Sequence, residues 1–146
     1  MKDLHTVFGA IAIGANLLAA AIGAGAWLAK RNPKLFWIVL RIGQGLIMLQ
    51  AVIGAALLLD GRDLPRLHLV YGLTPIAVAF LAEQLKLLAA QSLLDKHGYS
   101  GGADVAKLPR DEQLAFVTAV LRREVGTMAT AAFVVAILAA RAQGVL

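Results

Sequence analysis

The chain has 146 residues, 60% hydrophobic and 16% charged, with a net charge of +5 and no cysteine. An ordinary soluble domain carries about 25% charged residues, so too little polar surface is available here to cover a water-exposed fold, and disulfides, thiolate metal sites and cysteine nucleophiles are excluded. The positive balance could serve nucleic acid, but the Lys and Arg residues fall in short stretches between apolar runs. Membrane topology places basic residues there, and no nucleic-acid partner is expected.

The first apolar run covers roughly residues 6–29. It is longer than the apolar segment of a cleaved leader, and Met1-Lys2-Asp3 is a poor start for one, so a membrane helix is expected. Within it Ala10/Gly14 and Ala15/Ala19/Gly23 recur four apart, as do Gln50/Gly54 in the next run. Each set shares one helix face and suits close helix packing. Asn32-Pro33 reads as N-cap and first position of a second helix, roughly 35–59, which Asp60-Gly61 ends. Asp63-Leu64-Pro65 opens a third helix, roughly 67–92, in the same way. Pro75 is expected to kink it, with Thr74 satisfying the freed backbone. The turn-rich stretch His97-Gly98-Tyr99-Ser100-Gly101-Gly102 follows. Pro109, with Asp111 and Glu112 in the first turn, starts a fourth helix whose apolar run is roughly 115–140. Every run is near or above the ~20 residues that cross hydrocarbon. One all-α domain over residues 1–146 is expected, an integral membrane antiparallel four-helix bundle surrounded by lipid bilayer.

Orientation follows from charge. Lys30, Arg31, Lys34, Arg41, Lys86, Lys96, Lys107, Arg110, Arg122 and Arg123 lie toward one side; only Lys2, Arg62, Arg66 and Arg141 lie toward the other. The first side is expected to be cytoplasmic. Both termini then face the periplasmic or extracellular side, as in a bacterial plasma-membrane protein.

A short echo joins helices one and three. His5-Thr6-Val7-Phe8-Gly9 and His68-Leu69-Val70-Tyr71-Gly72 both read H-x-V-[F/Y]-G. Helices two and four echo more weakly, as Leu40-Arg41 with Gly45 and Leu121-Arg122 with Gly126, which suggests a duplicated helical hairpin. Helices one and three run in the same direction, so both His residues start from the outer side at similar depth. Gly9 and Gly72 lie one turn deeper on the same faces. An imidazole above an uncovered helix surface suits heme: the ring nitrogen reaches iron, and the missing side chain leaves room for a flat macrocycle. Two such helices facing each other would give axial ligation from both sides, as in b-type cytochromes. Arg62 and Arg66 in the adjacent loop are placed to meet propionates at the water boundary. The same residues also fit a plain interface, where His is solvated and Gly and aromatics end helices as they do in many membrane proteins.

At these residues a resemblance enters. Gln50-x-x-x-Gly54, the outer loop and His68-Leu69, in LQAVIGAALLLDGRDLPRLHLVYG, resemble the heme A synthase family. There a helix ending in Q-x-x-x-G leads through a short outer loop to a helix that starts with a heme-ligating His. That family is built from two four-helix halves, each with a pair of His residues at the outer ends of two parallel helices. The resemblance covers roughly residues 5–80 and implies that His5 and His68 form one such pair, binding heme b. The chain amounts to one half. It shows no helix before His5, and so no outer loop with the acidic residue that the family uses in chemistry on its substrate heme. The resemblance therefore implies a single-heme relative or a homodimer, in electron transfer or heme handling linked to respiratory chain biogenesis, rather than heme A synthase activity from this chain alone.

The remaining polar residues carry two readings each. Glu83 and Lys86 are three apart on helix three and suit an ion pair that includes Arg41 or Arg122, or else a proton route; Lys86 can also snorkel to the boundary. Asn16, Gln44 and Gln50 suit interhelical hydrogen bonds or a quinone site. His97 is expected to be solvated, and Met48 and Met128 to be core. No catalytic residue is expected, since no nucleophile–base pattern or phosphate loop occurs. A rival assignment is a cofactor-free structural or assembly subunit of a larger membrane complex. A small transporter has less support, because no helix breaks at the midplane.

Overall fold

In the computed structural model, which describes residues 2–61 and 65–146, the chain is all-α. The elements are α1 (Lys2–Leu28), α2 (Lys34–Leu59), α3 (Arg66–His97), the short α4 (Gly102–Val105) and α5 (Arg110–Ala142). All four long helices are long and apolar enough to cross a membrane. The distribution of side chains agrees with that. The core is rich in small residues, among them Ala12, Ala19, Ala132 and Ala136, around a few large ones such as Phe36, Leu40 and Met128, whereas Leu18, Ile38, Val52, Phe80, Leu81 and Phe133 are exposed. A protein in water cannot present so continuous an apolar surface; in lipid, large side chains face the tails and small ones let helices meet.

Helix ends follow local chemistry. Pro33, Pro65 and Pro109 are the N-cap residues of α2, α3 and α5, one position earlier in the helix pattern than a first-turn Pro. Asn32 therefore does not cap; its Oδ1 accepts from Trp37 Nε1. Asp63 and Leu64 lie outside the described residues. α3 and α5 run past their apolar stretches, so they are longer than the hydropathy alone suggests. Gly98 ends α3 in the left-handed region (φ 71°), and the Tyr99 N–H closes onto Leu94 O. After it Asp104 accepts from the Ser100 N–H and from Lys107 Nζ, which hold its carboxyl below the ordinary range. His97 is not simply solvated: its Nδ1 bonds Leu93 O at 2.8 Å and its ring stacks on Tyr99.

α1 packs along α2 and α5, and α5 along α3, while α2 and α3 touch sparingly. α1 and α3 are thus diagonal and parallel. Gly23 brings α1 against Phe36 of α2 and Ala129 of α5, whereas Gly14 has open space around it and Ala10 is exposed, so that small-residue set faces outward. Met128 is buried, but Met48 is exposed to the surroundings. Asn16 donates to Ala12 O within α1 and lies against Gly43 rather than bonding across helices. α3 continues through Pro75, and Thr74 Oγ1 donates to Val70 O, one carbonyl before the Tyr71 carbonyl that proline leaves free.

The sparse α2–α3 seam is closed at its basic end by ions. Arg41 Nη1 lies 2.5 Å and Lys86 Nζ 2.8 Å from the Glu83 carboxylate, and Gln44 Nε2 donates to it at 3.1 Å. Lys86 also sits over the Trp37 ring. Arg122 takes no part; it donates to Trp27 O. Glu83→Ala should leave two cations facing each other at the seam. The expected cost is about 1–2 kcal/mol, below the roughly 3–5 kcal/mol of a fully buried pair, because the Arg41 side chain is half-exposed. Reversible unfolding in mixed detergent–SDS micelles measures it; Glu83→Gln, which keeps an acceptor, should recover part, and an unchanged transition in both variants would show the cluster to be idle.

Candidate functional site

The N-terminal ends of α1 and α3, the C-terminal end of α2 and the last turn of α5 surround a half-open cavity of about 280 Å³. Its wall is almost entirely apolar, and it fills the space where α2 and α3 stand apart. His5 and His68 enter it from the two diagonal helices, with ring centroids 5.8 Å apart and planes tilted by 55°. Residues 63 positions apart in sequence become neighbours because two parallel helices begin at the same level of one bundle.

Each imidazole is held differently. His68 Nδ1 lies 2.8 Å from Ala142 O. A carbonyl only accepts, so the ring proton belongs on Nδ1 and the Nε2 lone pair stays free. On the other side it is the backbone that is clamped. Gln50 Nε2 donates to His5 O at 2.6 Å, and Gln143 Nε2 donates to Thr6 O at 3.1 Å. These two bonds fix the first turns of α1, and so the origin of the His5 side chain. His5 Nδ1 and Gln50 Oε1 are buried at the cavity with no hydrogen-bond partner among the described residues. Such atoms normally have one.

The two echoed glycines have different surroundings. A Cβ on Gly72 would meet nothing within 4 Å, so this face of α3 is a bare wall of the cavity. A Cβ on Gly9 would fall 1.7 Å from Gln143 Nε2 and 2.8 Å from Gln50 Nε2. Gly9 therefore makes room for the amide clamp as well as lining the cavity. Gly54, with Ala51 and Ala55, gives α2 a flat face there too, and its Cβ would touch only His5 Cε1 at 3.6 Å.

Arg66, the first residue of α3, is exposed and does not line the cavity; Arg62 lies outside the described residues. A further cation at this end is Arg141, over the Tyr71 ring at 5.9 Å. Gln143, Arg141 and the Ala142 carbonyl were not legible as site groups, because the end of α5 meets the starts of α1 and α3 only in the folded bundle.

Comparison of the chain with family models, with curated proteins and with solved structures found no match. The donor set must speak for itself. Among the described residues no group of three or more His, Cys, Asp or Glu gathers that could hold a bare metal ion. Two imidazoles suffice for a metal that brings four equatorial donors of its own, as iron does in a porphyrin. The two imidazoles stand close enough, at 5.8 Å between centroids, for one group between them to meet both. The free Nε2 of His68, the bare wall at Gly72 and the apolar lining fit the same group.

Proposed function

We propose that this chain is a heme b-binding membrane protein with His5 and His68 as axial ligands near its outer face. The observation that carries the reading is the close imidazole pair at an apolar cavity, with His68 already oriented by Ala142 O. A carbonyl bond to the far ring nitrogen is the usual means of aiming a ligating His and raising its basicity. Gly72, Gly54 and Gly9 would supply the close helix surfaces, and the Gln50 and Gln143 amides would keep His5 in place. Held by both His5 and His68, heme would supply one-electron chemistry, and the two imidazoles would keep oxygen from its iron. Electron transfer or heme handling, linked to respiratory chain biogenesis as the resemblance implies, is therefore the function rather than oxygen activation. Arg66 and Arg62 lie at the outer boundary in sequence, and Arg141 joins them as a cation for propionates. The basic-side charge bias supports an outward-facing site.

The test is the absorption spectrum of detergent-purified protein, oxidised and then dithionite-reduced. Wild type should give a sharp reduced α-band of low-spin heme. His5→Ala and His68→Ala should each lose it or convert it to high spin. A protein that stays colourless after hemin reconstitution would sink the heme reading in favour of a cofactor-free subunit of a larger membrane complex.

A further inference from the structure

At the opposite end of the bundle a second groove, of about 800 Å³, runs between α3 and α5. Its walls are apolar: Val78, Leu81 and Leu85 from α3, and Ala131 and Val134 from α5. One end is polar. There Arg123 Nη1 donates to Ser92 Oγ at 2.5 Å, and both residues line the groove. The adjacent Arg122 lies over the Trp27 ring, 5.0 Å from its centroid, and Trp27 closes the same end. Among the described residues neither guanidinium has a carboxylate within 4.0 Å; the acids that pair do so elsewhere, with Arg41, Lys86 and Lys107.

Depth adds to this. Ala142 of α5 marks the level of His68. From Ala142 back to Arg122 is roughly 30 Å of helix, at about 1.5 Å per residue, which matches the thickness of the hydrocarbon layer. Arg122, Arg123 and Trp27 therefore stand at the headgroup layer when His5 and His68 stand at the opposite one. Uncompensated arginines at that level, beside an interfacial tryptophan and above an apolar slot, have the chemistry of a lipid site.

We propose that this groove binds an anionic phospholipid. Its phosphate is held by Arg123 and Ser92, and an acyl chain lies along Leu81, Leu85, Ala131 and Val134. A planar guanidinium with a hydroxyl beside it suits a phosphate diester, and the groove below suits a tail rather than a soluble anion. The site is independent of the heme reading, since it shares no residue with the His cavity.

The experiment is native mass spectrometry of the detergent-purified full chain, delipidated and then offered dioleoylphosphatidylglycerol or dioleoylphosphatidylcholine. Wild type should retain the anionic lipid at least tenfold better. Arg123→Gln should bring retention down to the level of the zwitterionic lipid, and Ser92→Ala should lower it severalfold. Ala131→Phe, which fills the slot and spares the charge, should also displace the lipid. Equal retention of the two lipids, or retention unchanged in Arg123→Gln, would overturn the proposal. Displacement by equimolar inorganic phosphate would overturn it too, since the anion alone would then be the ligand. So would a second copy of the chain released by Ala131→Phe without any lipid having been bound, which would make the groove a helix-docking face.

Discussion

If the proposed heme site is right, Gly72→Leu should weaken hemin binding on the order of 100-fold while the bundle stays folded. The position is one turn below His68 on the same face of α3, and a Cβ placed there meets no atom within 4 Å. Replacing a helical glycine with leucine gains up to about 1 kcal/mol of helix propensity, and a change with nothing to clash against moves stability by roughly 0.5 kcal/mol or less. The fold should therefore hold or tighten slightly. The leucine side chain would extend into the cavity that the proposed heme would need open. Overpacking costs about 1–3 kcal/mol even where neighbours can shift, so affinity for hemin should fall on the order of 100-fold. Hemin titration followed at the main absorption band reads it, with SDS unfolding as the control. A Gly72→Leu protein that binds hemin as wild type does would remove the cavity from the heme reading. The symmetric substitution Gly9→Leu cannot make this distinction. Its Cβ collides with the Gln143 and Gln50 amides that hold α1, so it would damage the fold whether or not heme binds.

That asymmetry shows where sequence patterns stop being informative. His5-Thr6-Val7-Phe8-Gly9 and His68-Leu69-Val70-Tyr71-Gly72 look equivalent as strings, and helix geometry alone puts each Gly beneath its His. What separates them is the neighbour. α1 is flanked on both sides, by α2 and by α5, whereas the face of α3 toward α2 is open. The four spans, their boundaries at Asn32-Pro33 and Pro109, and the meeting of His5 with His68 were legible, because apolar length and chain direction determine them. The ion pair of Glu83 with Lys86 was legible from three-residue spacing, but the choice of Arg41 over Arg122 was not. That choice depends on which helix stands opposite α3, and hydropathy does not say. Gln143 illustrates the same limit: its bond to Thr6 O joins the two ends of the chain. Met48 misled because depth in the bilayer and burial in protein are different quantities. A methionine far from water can still face lipid.

The arrangement on which the site rests has its own test at Gly23. There α1 approaches α2 and α5 at once: a Cβ would fall 2.5 Å from Phe36 Cε2 and 2.6 Å from Ala129 Cβ. Phe36 is itself fully buried, so it cannot swing aside, and Ala129 has no rotamer to change. Gly23→Leu must push α1 away from both partners. The expected loss reaches or exceeds the upper end of the roughly 1–3 kcal/mol seen for overpacked cores. Gly14→Leu provides the control in the same helix. Its site is open, so only the propensity gain of up to about 1 kcal/mol applies. SDS-titrated unfolding of the two variants should therefore separate them by several kcal/mol, with opposite signs relative to wild type. Equal transitions would mean that α1 does not lie against Phe36 and Ala129. The level at which His5 meets His68 would fall with that packing, because the clamp from Gln50 and Gln143 acts on α1 only if the same helix face is turned inward. Hemin titration of Gly23→Leu under conditions where it remains folded extends the test: a helix displaced by even an ångström at Gly23 should weaken binding at a site roughly 27 Å away along α1, at about 1.5 Å per residue, without touching any residue that faces the cavity.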